Sequence, residues 1–321
     1  MDFQYSVEKN LKEVQKNDSY YILSDELFMN GTSFDANGIL YYEYGGMVSS
    51  QGSQYNPAYI AWYGLICINQ FFLSGNKQKL KIAENYAQWL IDNYDYKERA
   101  WVYRFDKYEG TSFLKSPWKS AMSQGLAISL LTRIGKICSR NDCFDLAEKA
   151  FKVFQLSIKD GGVQTEFNGS CYFEEYPAYP NTYVLDGFCF SLLGLYDLWK
   201  YTKNEEAKRL FDKGVYCLSE NLNHWNYRNK WTWYGSHHYL CNSQYNKLNY
   251  CLVSIIGKLS NRKELLEKSR GWNPIKLSTA SKLEIKCMYS FTYWIAVVRI
   301  IILKNLKRIK KNVWYSWNIF K

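Results

Sequence analysis

The sequence predicts a mainly α-helical fold: an (α/α) toroid, here an incomplete barrel, with a small β-containing segment at its N-terminal end. Three observations predict it. Apolar residues recur at helical spacing in successive segments. Nearly all-apolar helices alternate with amphipathic ones, as expected when an inner ring of helices is covered by an outer ring. Loops rich in Trp and Tyr separate the helix pairs, and loops between helices are where a functional cleft is expected.

The N-terminal end of the chain is irregular or β-rich. Asn37-Gly38, followed by the largely apolar residues 39–44, predicts a turn that leads into a strand. From Pro57 onward, the apolar spacing predicts three helix pairs and one further helix. The predicted helices span residues 57–72, 78–94, 120–138, 143–158, 184–201, 205–222 and 245–260.

The chain divides into three parts in this interpretation. We expect residues 1–50 to pack on an (α/α) domain over residues 51–270, with a divergent segment over residues 271–321. In that last segment, residues 288–303 are mostly apolar but fewer than the roughly 20 that a membrane span needs. Basic residues without an acidic one follow, which predicts either a buried final helix or peripheral membrane attachment. Association with a membrane synthase and a homodimer are further hypotheses.

The charge and cysteine content limit the partners and the compartment. A net charge of +11 favours an anionic partner, namely nucleic acid, a membrane surface or an acidic polymer, and does not choose among them. The sequence contains no nucleic-acid motif, so no nucleic-acid partner is predicted. The nine cysteines are scattered and contain no CxxC pair, so neither a disulfide framework nor a zinc site is predicted. Residues 1–16 have no apolar signal region. We therefore expect a cytoplasmic protein that uses neither a metal nor a cofactor.

Five polar and aromatic segments are candidates for a functional site. They are residues 54–57, 116–125, 174–177, 231–239 and 245–250. In the third segment, Glu174, Glu175 and Tyr176 precede an apolar helix. A solvent-exposed loop that ends in Pro would have the same sequence pattern. The fourth segment holds His237 and His238, but no HxxxH spacing supports a metal site there.

Together and in this order, these segments resemble the C-terminal catalytic region of the heparosan-type D-glucuronyl C5-epimerases. The resemblance covers roughly residues 35–255. Its signatures are Tyr55-Asn56-Pro57, Trp118 with residues 120–129, Glu174-Glu175-Tyr176-Pro177, and residues 184–198. Each signature is weak alone, and their order and spacing make the match specific.

The resemblance implies a reaction at C5 of glucuronate residues within an acidic polysaccharide. One group removes the C5 hydrogen, which lies α to the carboxylate, and another returns a proton from the opposite face to give iduronate. Such a site must supply a base, an acid, and donors or cations that stabilise the enolate-like carboxylate. No redox cofactor is needed.

The resemblance also implies which residues form the site. The implied catalytic residues are Glu175, Tyr176, Tyr234 and Tyr245. The implied substrate-binding residues are Tyr55, Asn56, Trp118, Gln124, Glu174, His237, His238 and Asn249. A Tyr can act as a base if its neighbours lower its pKa, and a Glu can act if burial raises its own pKa.

Two parts of the site depart from the family pattern. His237 stands where the family has Arg, so a permanent bidentate partner for a substrate carboxylate is lost. Asn246 and Asn249 stand where the family tends to have His. Lys247 or another cation would have to replace the missing charge.

Two other functions stay open at this point. The first is a uronate lyase or glycoside hydrolase on the same toroid. A hydrolase needs two carboxylates that flank the bond, and Glu175 with Asp186 is the nearest pair. The second is a non-catalytic polysaccharide-binding homologue, which the altered Arg and His positions would favour.

Overall fold

The computed structural model describes residues 32–44, 51–236 and 239–319, with side chains described as far as residue 302. Four consecutive helix pairs make up most of this part of the chain. The inner helices are α1 (Pro57–Ser74), α3 (Ala121–Cys138), α5 (Leu185–Thr202) and α7 (Ser243–Leu259). Their outer partners are α2 (Lys77–Asp92), α4 (Asn141–Phe151), α6 (Glu205–Asn221) and α8 (Lys263–Ser269). The predicted mainly α, (α/α) toroidal fold is confirmed.

The inner helices pack closely because small residues stand where they meet. A Cβ atom on Gly194 of α5 would lie 2.4 Å from the Cα atom of Gly125 on α3, so only glycine fits this approach. The same two helices share a buried ion pair in which Arg133 Nε donates to Asp197 Oδ2 over 3.0 Å. A close glycine contact and a paired buried charge together hold the centre of the barrel in one arrangement.

Two helical boundaries differ from the prediction. The helix predicted over residues 143–158 ends at Phe151, and a 3-10 turn over Lys152–Gln155 follows it. The chain turns there because Val163 and Gln164 donate their backbone N–H groups to the carbonyls of Val153 and Leu156. The single helix predicted at residues 245–260 has a partner, the short α8, whose apolar pattern is too brief to be recognised.

The strands are short, and most form hairpins between the helix pairs. At the N-terminal end, β1 (Thr32–Phe34), β2 (Leu40–Tyr44) and β3 (Gly52–Gln54) form an antiparallel sheet. The remaining strands are β4 (Val102–Tyr103), β5 (Lys107–Glu109), β6 (Ser112–Leu114), β7 (Trp118–Lys119), β8 (Gln164–Phe167), β9 (Ser170–Phe173), β10 (Asn226–Tyr227) and β11 (Trp231–Thr232). They pair antiparallel as β4–β7, β5–β6, β8–β9 and β10–β11.

The N-terminal sheet is fastened to α2, the outer helix of the first pair. The Leu40 N–H donates to the Tyr86 hydroxyl over 3.1 Å, and that hydroxyl donates to the Gly38 carbonyl over 2.8 Å. The strand predicted after Asn37-Gly38 is therefore present as β2. The predicted boundary at residue 50 falls between two strands of this sheet, and the three-part division of the chain stays a prediction.

A long final helix, α9 (Thr279–Ile319), follows the barrel. The stretch Thr279–Ile302 is long and apolar enough, by length and composition alone, to cross a membrane. In its most apolar part, 22% of the residues are buried. One face of α9 packs on the β10–β11 hairpin, where Ile285 joins a cluster with Tyr227 and Trp231. Burial inside a soluble protein can produce the same composition, so the apolar character alone does not decide what this helix does.

Candidate active site

A cleft lies where the four inner helices begin. Its lining includes Asn56 and Tyr59 at the start of α1, Ser120 before α3, Asp186 at the start of α5 and Tyr245 at the start of α7. The cleft has a cavity volume of about 70 Å³. Because the N-terminal end of a helix carries a partial positive charge, four converging N-termini favour an anionic ligand.

Glu175 reaches this cleft from the loop that follows β9. Its side chain is buried against the first turn of α5, where a Cβ atom on Gly187 would lie 2.3 Å from Glu175 Oε2. That oxygen has no hydrogen-bond partner among the described residues. Burial raises the pKa of Glu175 well above its usual value, and the nearby Asp186 raises it further. A carboxyl group in this setting takes up a proton readily.

Asp186 is the second buried acid of the cleft. Its side chain is almost fully buried, and its Oδ1 also lacks a hydrogen-bond partner within the described residues. Burial raises the pKa of Asp186 to about 7. Two buried carboxyl groups that repel each other as anions hold a proton between them more easily than either would alone.

Lys107 supplies a cation to the cleft from the β5–β6 hairpin. Its Nζ atom lies 4.0 Å from the centre of the Tyr176 ring and 3.0 Å from Glu109 Oε2. Its charge opposes the increase in the pKa of Glu175. Lys247, suggested above as a replacement for the family Arg, does not line the cleft, whereas Lys107 does.

Three tyrosines surround the acids, but not all of them line the cleft. Tyr176 and Tyr245 do, and Tyr234 packs behind them with its ring centre 5.6 Å from that of Tyr245. Burial raises the pKa of all three well above the usual value of a phenol. The condition under which a Tyr acts as a base, a lowered pKa, is therefore absent. The three hydroxyls stay protonated and can donate hydrogen bonds.

Two of the predicted substrate-binding residues lie on the wall of the cleft around Tyr103. Trp118 lines it, stacked on Tyr103 with ring centres 4.0 Å apart. Asn56 caps α1 and also lines the cleft, donating to the Tyr44 hydroxyl and accepting from the Tyr103 hydroxyl, both over 2.7 Å. This wall combines flat rings with hydroxyl and amide groups, which suits contact with a sugar.

Glu174 points away from the cleft, although it neighbours Glu175. Its carboxylate accepts hydrogen bonds from the Thr182 N–H over 3.0 Å, the Thr182 hydroxyl over 2.6 Å and the Tyr183 N–H over 3.2 Å. Burial raises the pKa of Glu174 to about 7. These bonds hold the loop that leads into α5, so Glu174 supports the site instead of contacting a ligand.

Three more residues assigned to substrate binding are not part of the cleft lining. Tyr55 is half exposed and donates to Asp35 over 2.7 Å. Gln124 is buried and exchanges hydrogen bonds with the backbone of Trp101. Asn249 is buried beside Thr232, to which its amide donates over 3.2 Å. Each has a structural contact that accounts for its position, and we leave all three out of the proposed substrate contacts.

Two predicted residues lie outside the described part of the chain, and two charged residues of the cleft had been assigned no catalytic or binding role. His237 and His238 lie outside the described residues. Lys107 was not singled out because nothing in its local sequence distinguishes it from other surface lysines. Asp186 was considered only as a second carboxylate for a hydrolase. Its position at the first turn of an inner helix could have indicated a cleft residue, since Tyr245 occupies the equivalent place on α7.

The fold and the cleft define the class of protein. Two solved structures have similar folds. A cellobiose 2-epimerase from Bacillus thermoamylovorans gives a TM-score of 0.53 at 11% identity and covers 84% of this chain and 71% of its own. A family 76 α-mannanase from Bacteroides thetaiotaomicron gives a TM-score of 0.50 at 11% identity and covers 85% of this chain and 71% of its own. At this identity the likeness concerns the fold alone. It places the chain among the α/α toroids.

The sequence identifies the family within that class. Residues 94–274 match the family described as the D-glucuronyl C5-epimerase C-terminus, which is more than half of the chain. The chain therefore belongs to this family, as the resemblance indicated. It is also 37% identical over 150 residues to a D-glucuronyl C5-epimerase from Caenorhabditis elegans. That match covers 42% of this chain and 24% of the worm protein, so the chain spans about a quarter of that relative.

Proposed function

We propose that this chain is a polysaccharide C5-epimerase that converts D-glucuronate residues to L-iduronate residues by removing and returning a proton at C5. The observation that carries the proposal is that one cleft holds a buried carboxyl group with a free oxygen, a phenol and a cation: Glu175, Tyr245 and Lys107. Membership of the family supports the same reaction.

In the proposed reaction, the ionised Glu175 takes the C5 proton and becomes a neutral carboxylic acid. The electron pair of the C–H bond passes into the substrate carboxylate, which becomes enolate-like. Tyr245 then donates its hydroxyl proton to C5 from the opposite face and becomes a phenolate. A proton moves from Glu175 to Tyr245, directly or through water, and restores both groups. The raised pKa of Glu175 favours the carboxylic acid that it becomes in the first step. The raised pKa of Tyr245 keeps its hydroxyl protonated until the strongly basic enolate-like intermediate takes the proton.

Lys107 is proposed to stabilise the charge that develops on the substrate carboxylate. A nearby ammonium group and four helix N-termini lower the energy of a dianion in a site largely shielded from water. Without such charges, forming an anion beside an existing carboxylate would be strongly unfavourable. In this scheme Lys107 takes over the task of the Arg that the family pattern has where this chain has His237.

We propose a heparosan-type polymer as the substrate and the cytoplasm as the compartment. The excess of basic residues supports an anionic polymer. All nine cysteines lie within the described residues and are free thiols, which fits a reducing environment.

Solvent deuterium incorporation tests the reaction. The protein is incubated in D₂O with unsulfated heparosan and, separately, with a chondroitin backbone. We expect deuterium at C5 and the appearance of iduronate by NMR on at least one polymer. No deuterium at C5 on either polymer would overturn the proposal.

A glycoside hydrolase is the second candidate function, because Glu175 and Asp186 both line the cleft. A hydrolase would release new reducing ends from the same polymers without deuterium at C5. A lyase would instead form an unsaturated uronate that absorbs ultraviolet light. The same reaction mixtures therefore distinguish all three chemistries.

A further inference from the structure

Helix α9 carries apolar residues on two opposite faces. The inner face holds Ile285, Met288, Tyr289 and Thr292 and packs on the barrel beside Leu240. The outer face exposes large apolar side chains to solvent. Its members are Leu283, Phe291, Trp294, Ile295, Val298 and Ile302.

The outer face is too apolar to be ordinary protein surface. Leu283 is 64% exposed, Phe291 is 62% exposed and Trp294 is 58% exposed. They lie on one helix and within 24 residues of each other, so they form a patch instead of isolated exposed residues. Large contiguous apolar patches mark surfaces that bind a protein partner or a membrane.

The charge around the outer face is almost entirely positive. Lys282, Lys286 and Arg299 are exposed on α9. The one acidic residue of this stretch, Glu284, is paired with Arg228 over 2.9 Å and Lys230 over 3.0 Å. The sequence from Lys304 to Lys321 adds further basic residues and no acidic one. The surface therefore complements an anionic partner.

We propose that the outer face of α9 binds the surface of a bilayer that contains anionic lipid. Phe and Trp side chains bury their rings at the boundary between headgroups and acyl chains, and neighbouring Lys and Arg attract anionic headgroups. A second copy of the chain would fit less well, because joining two outer faces would bring their basic residues together.

The helix lies on the membrane in this proposal and does not cross it. Thr279–Ile302 is long enough to span a bilayer. Crossing would require the inner face to leave the barrel, which would break the bond from the Leu240 N–H to the Thr292 hydroxyl and the bond from the Tyr227 hydroxyl to Glu284. Binding through the outer face alone leaves these contacts intact.

Flotation with vesicles tests the proposal on the full chain. The vesicles are phosphatidylcholine alone, or phosphatidylcholine mixed with phosphatidylserine. We expect the wild type to float with the mixed vesicles, to bind pure phosphatidylcholine much less, and to lose binding as salt is raised. For the triple variant Phe291→Ser, Trp294→Ser, Ile295→Ser, we expect the affinity for mixed vesicles to fall by at least about tenfold.

A matched variant controls for the loss of exposed rings as such. Phe72, Tyr96 and Tyr216 are exposed on the barrel, and their joint replacement by Ser should leave vesicle binding unchanged. Thermal unfolding verifies that both variants fold. The proposal is overturned if the folded α9 variant binds mixed vesicles like the wild type. It is also overturned if light scattering finds a wild-type dimer that this variant converts to a monomer. Neither readout depends on catalytic activity.

Discussion

The loop between β9 and α5 has two sides that use the same kinds of side chain differently. On one side, the support layer, Glu174 and Tyr234 lie outside the cleft lining, and the Glu174 carboxylate accepts hydrogen bonds from three donors. On the other side, the cleft wall, Glu175 and Tyr245 face the cleft, and Glu175 keeps an oxygen without a hydrogen-bond partner among the described residues.

This difference separates a structural acid from a reactive one. Both glutamates are buried, and burial raises the pKa of each. The hydrogen bonds of Glu174 oppose that increase, so its carboxylate is held in place by satisfied donors. Glu175 has the carboxylate of Asp186 beside it, which raises its pKa further. A buried group left partly unsatisfied costs free energy, and such groups are found where a ligand completes the site.

The largest expected difference between the two sides concerns the tyrosines. Tyr245→Phe removes the proposed proton donor, and we expect kcat to fall about 10²–10⁴-fold. Tyr234→Phe keeps a ring in the support layer, and we expect a smaller loss. Iduronate formation measured by NMR verifies both, with thermal unfolding as the control for folding. Equal losses in the two variants would mean that Tyr234 also contacts the substrate.

The next largest effect is on stability. Glu174→Ala leaves the Thr182 and Tyr183 donors without an acceptor, and we expect the free energy of unfolding to fall by about 3 kcal/mol. Glu175→Ala removes a buried carboxyl group that is only partly satisfied, so its loss should be much smaller. Urea unfolding at pH 7 measures both. A larger loss for Glu175→Ala would reverse the assignment of the two sides.

A charge in the cleft wall is expected to matter more than a charge outside it. Lys107→Met removes the proposed partner of the substrate carboxylate, and we expect kcat/KM to fall about 10–100-fold. Lys115→Met is the matched control, because Lys115 is exposed and pairs with Asp106 over 2.9 Å. Both values are compared with the wild type on heparosan. An unchanged kcat/KM for Lys107→Met would remove Lys107 from the proposal.

The smallest expected effect is a displacement of the pH profile. Glu175 must be ionised to act as a base, so kcat/KM falls as pH falls through its pKa. Asp186→Asn removes a neighbouring negative charge and lowers the pKa of Glu175. The acid side of the kcat/KM profile should therefore move to lower pH by about one unit. A profile displaced to higher pH would contradict the proposed interaction.

The same substitution has an expected effect on stability. The pKa of Asp186 is about 7 in the folded protein, above its usual value of 3.8, so the folded state binds the proton more tightly than the unfolded state. Its contribution to stability is fully present below pH 3.8, is lost as pH rises from 3.8 to about 7, and changes little above that. Asp186→Asn should reduce this loss, which unfolding curves at pH 5 and pH 8 would measure.

Most of the fold could be predicted from the sequence because burial repeats along each helix. Inner helices such as α3 and α5 are apolar on nearly all sides, and outer helices such as α6 are apolar on one. These patterns are local, so each helix can be predicted from the residues of its own segment. The short α8 was missed because its apolar pattern is too brief. The end of α4 was missed because backbone hydrogen bonds from a later segment decide it.

The candidate site could be predicted only in part. The family motifs indicated Glu175, Tyr176 and Tyr245, which the structure brings together in one cleft. They gave Glu174 a substrate-binding role beside the catalytic Glu175, because the side chains of adjacent residues cannot be told apart until the fold turns one of them inward. Lys107 was missed for a related reason, since its hairpin lies far from Glu175 in the sequence. These distinctions depend on tertiary contacts that no local pattern encodes.

The most direct test of the central claim is deuterium incorporation at C5 by the Glu175→Gln variant, measured beside the wild type on unsulfated heparosan in D₂O. If Glu175 is the base, the variant folds, binds the polymer and incorporates deuterium at a rate about 10²–10⁴-fold below that of the wild type. A folded variant that incorporates deuterium at the wild-type rate would contradict the account.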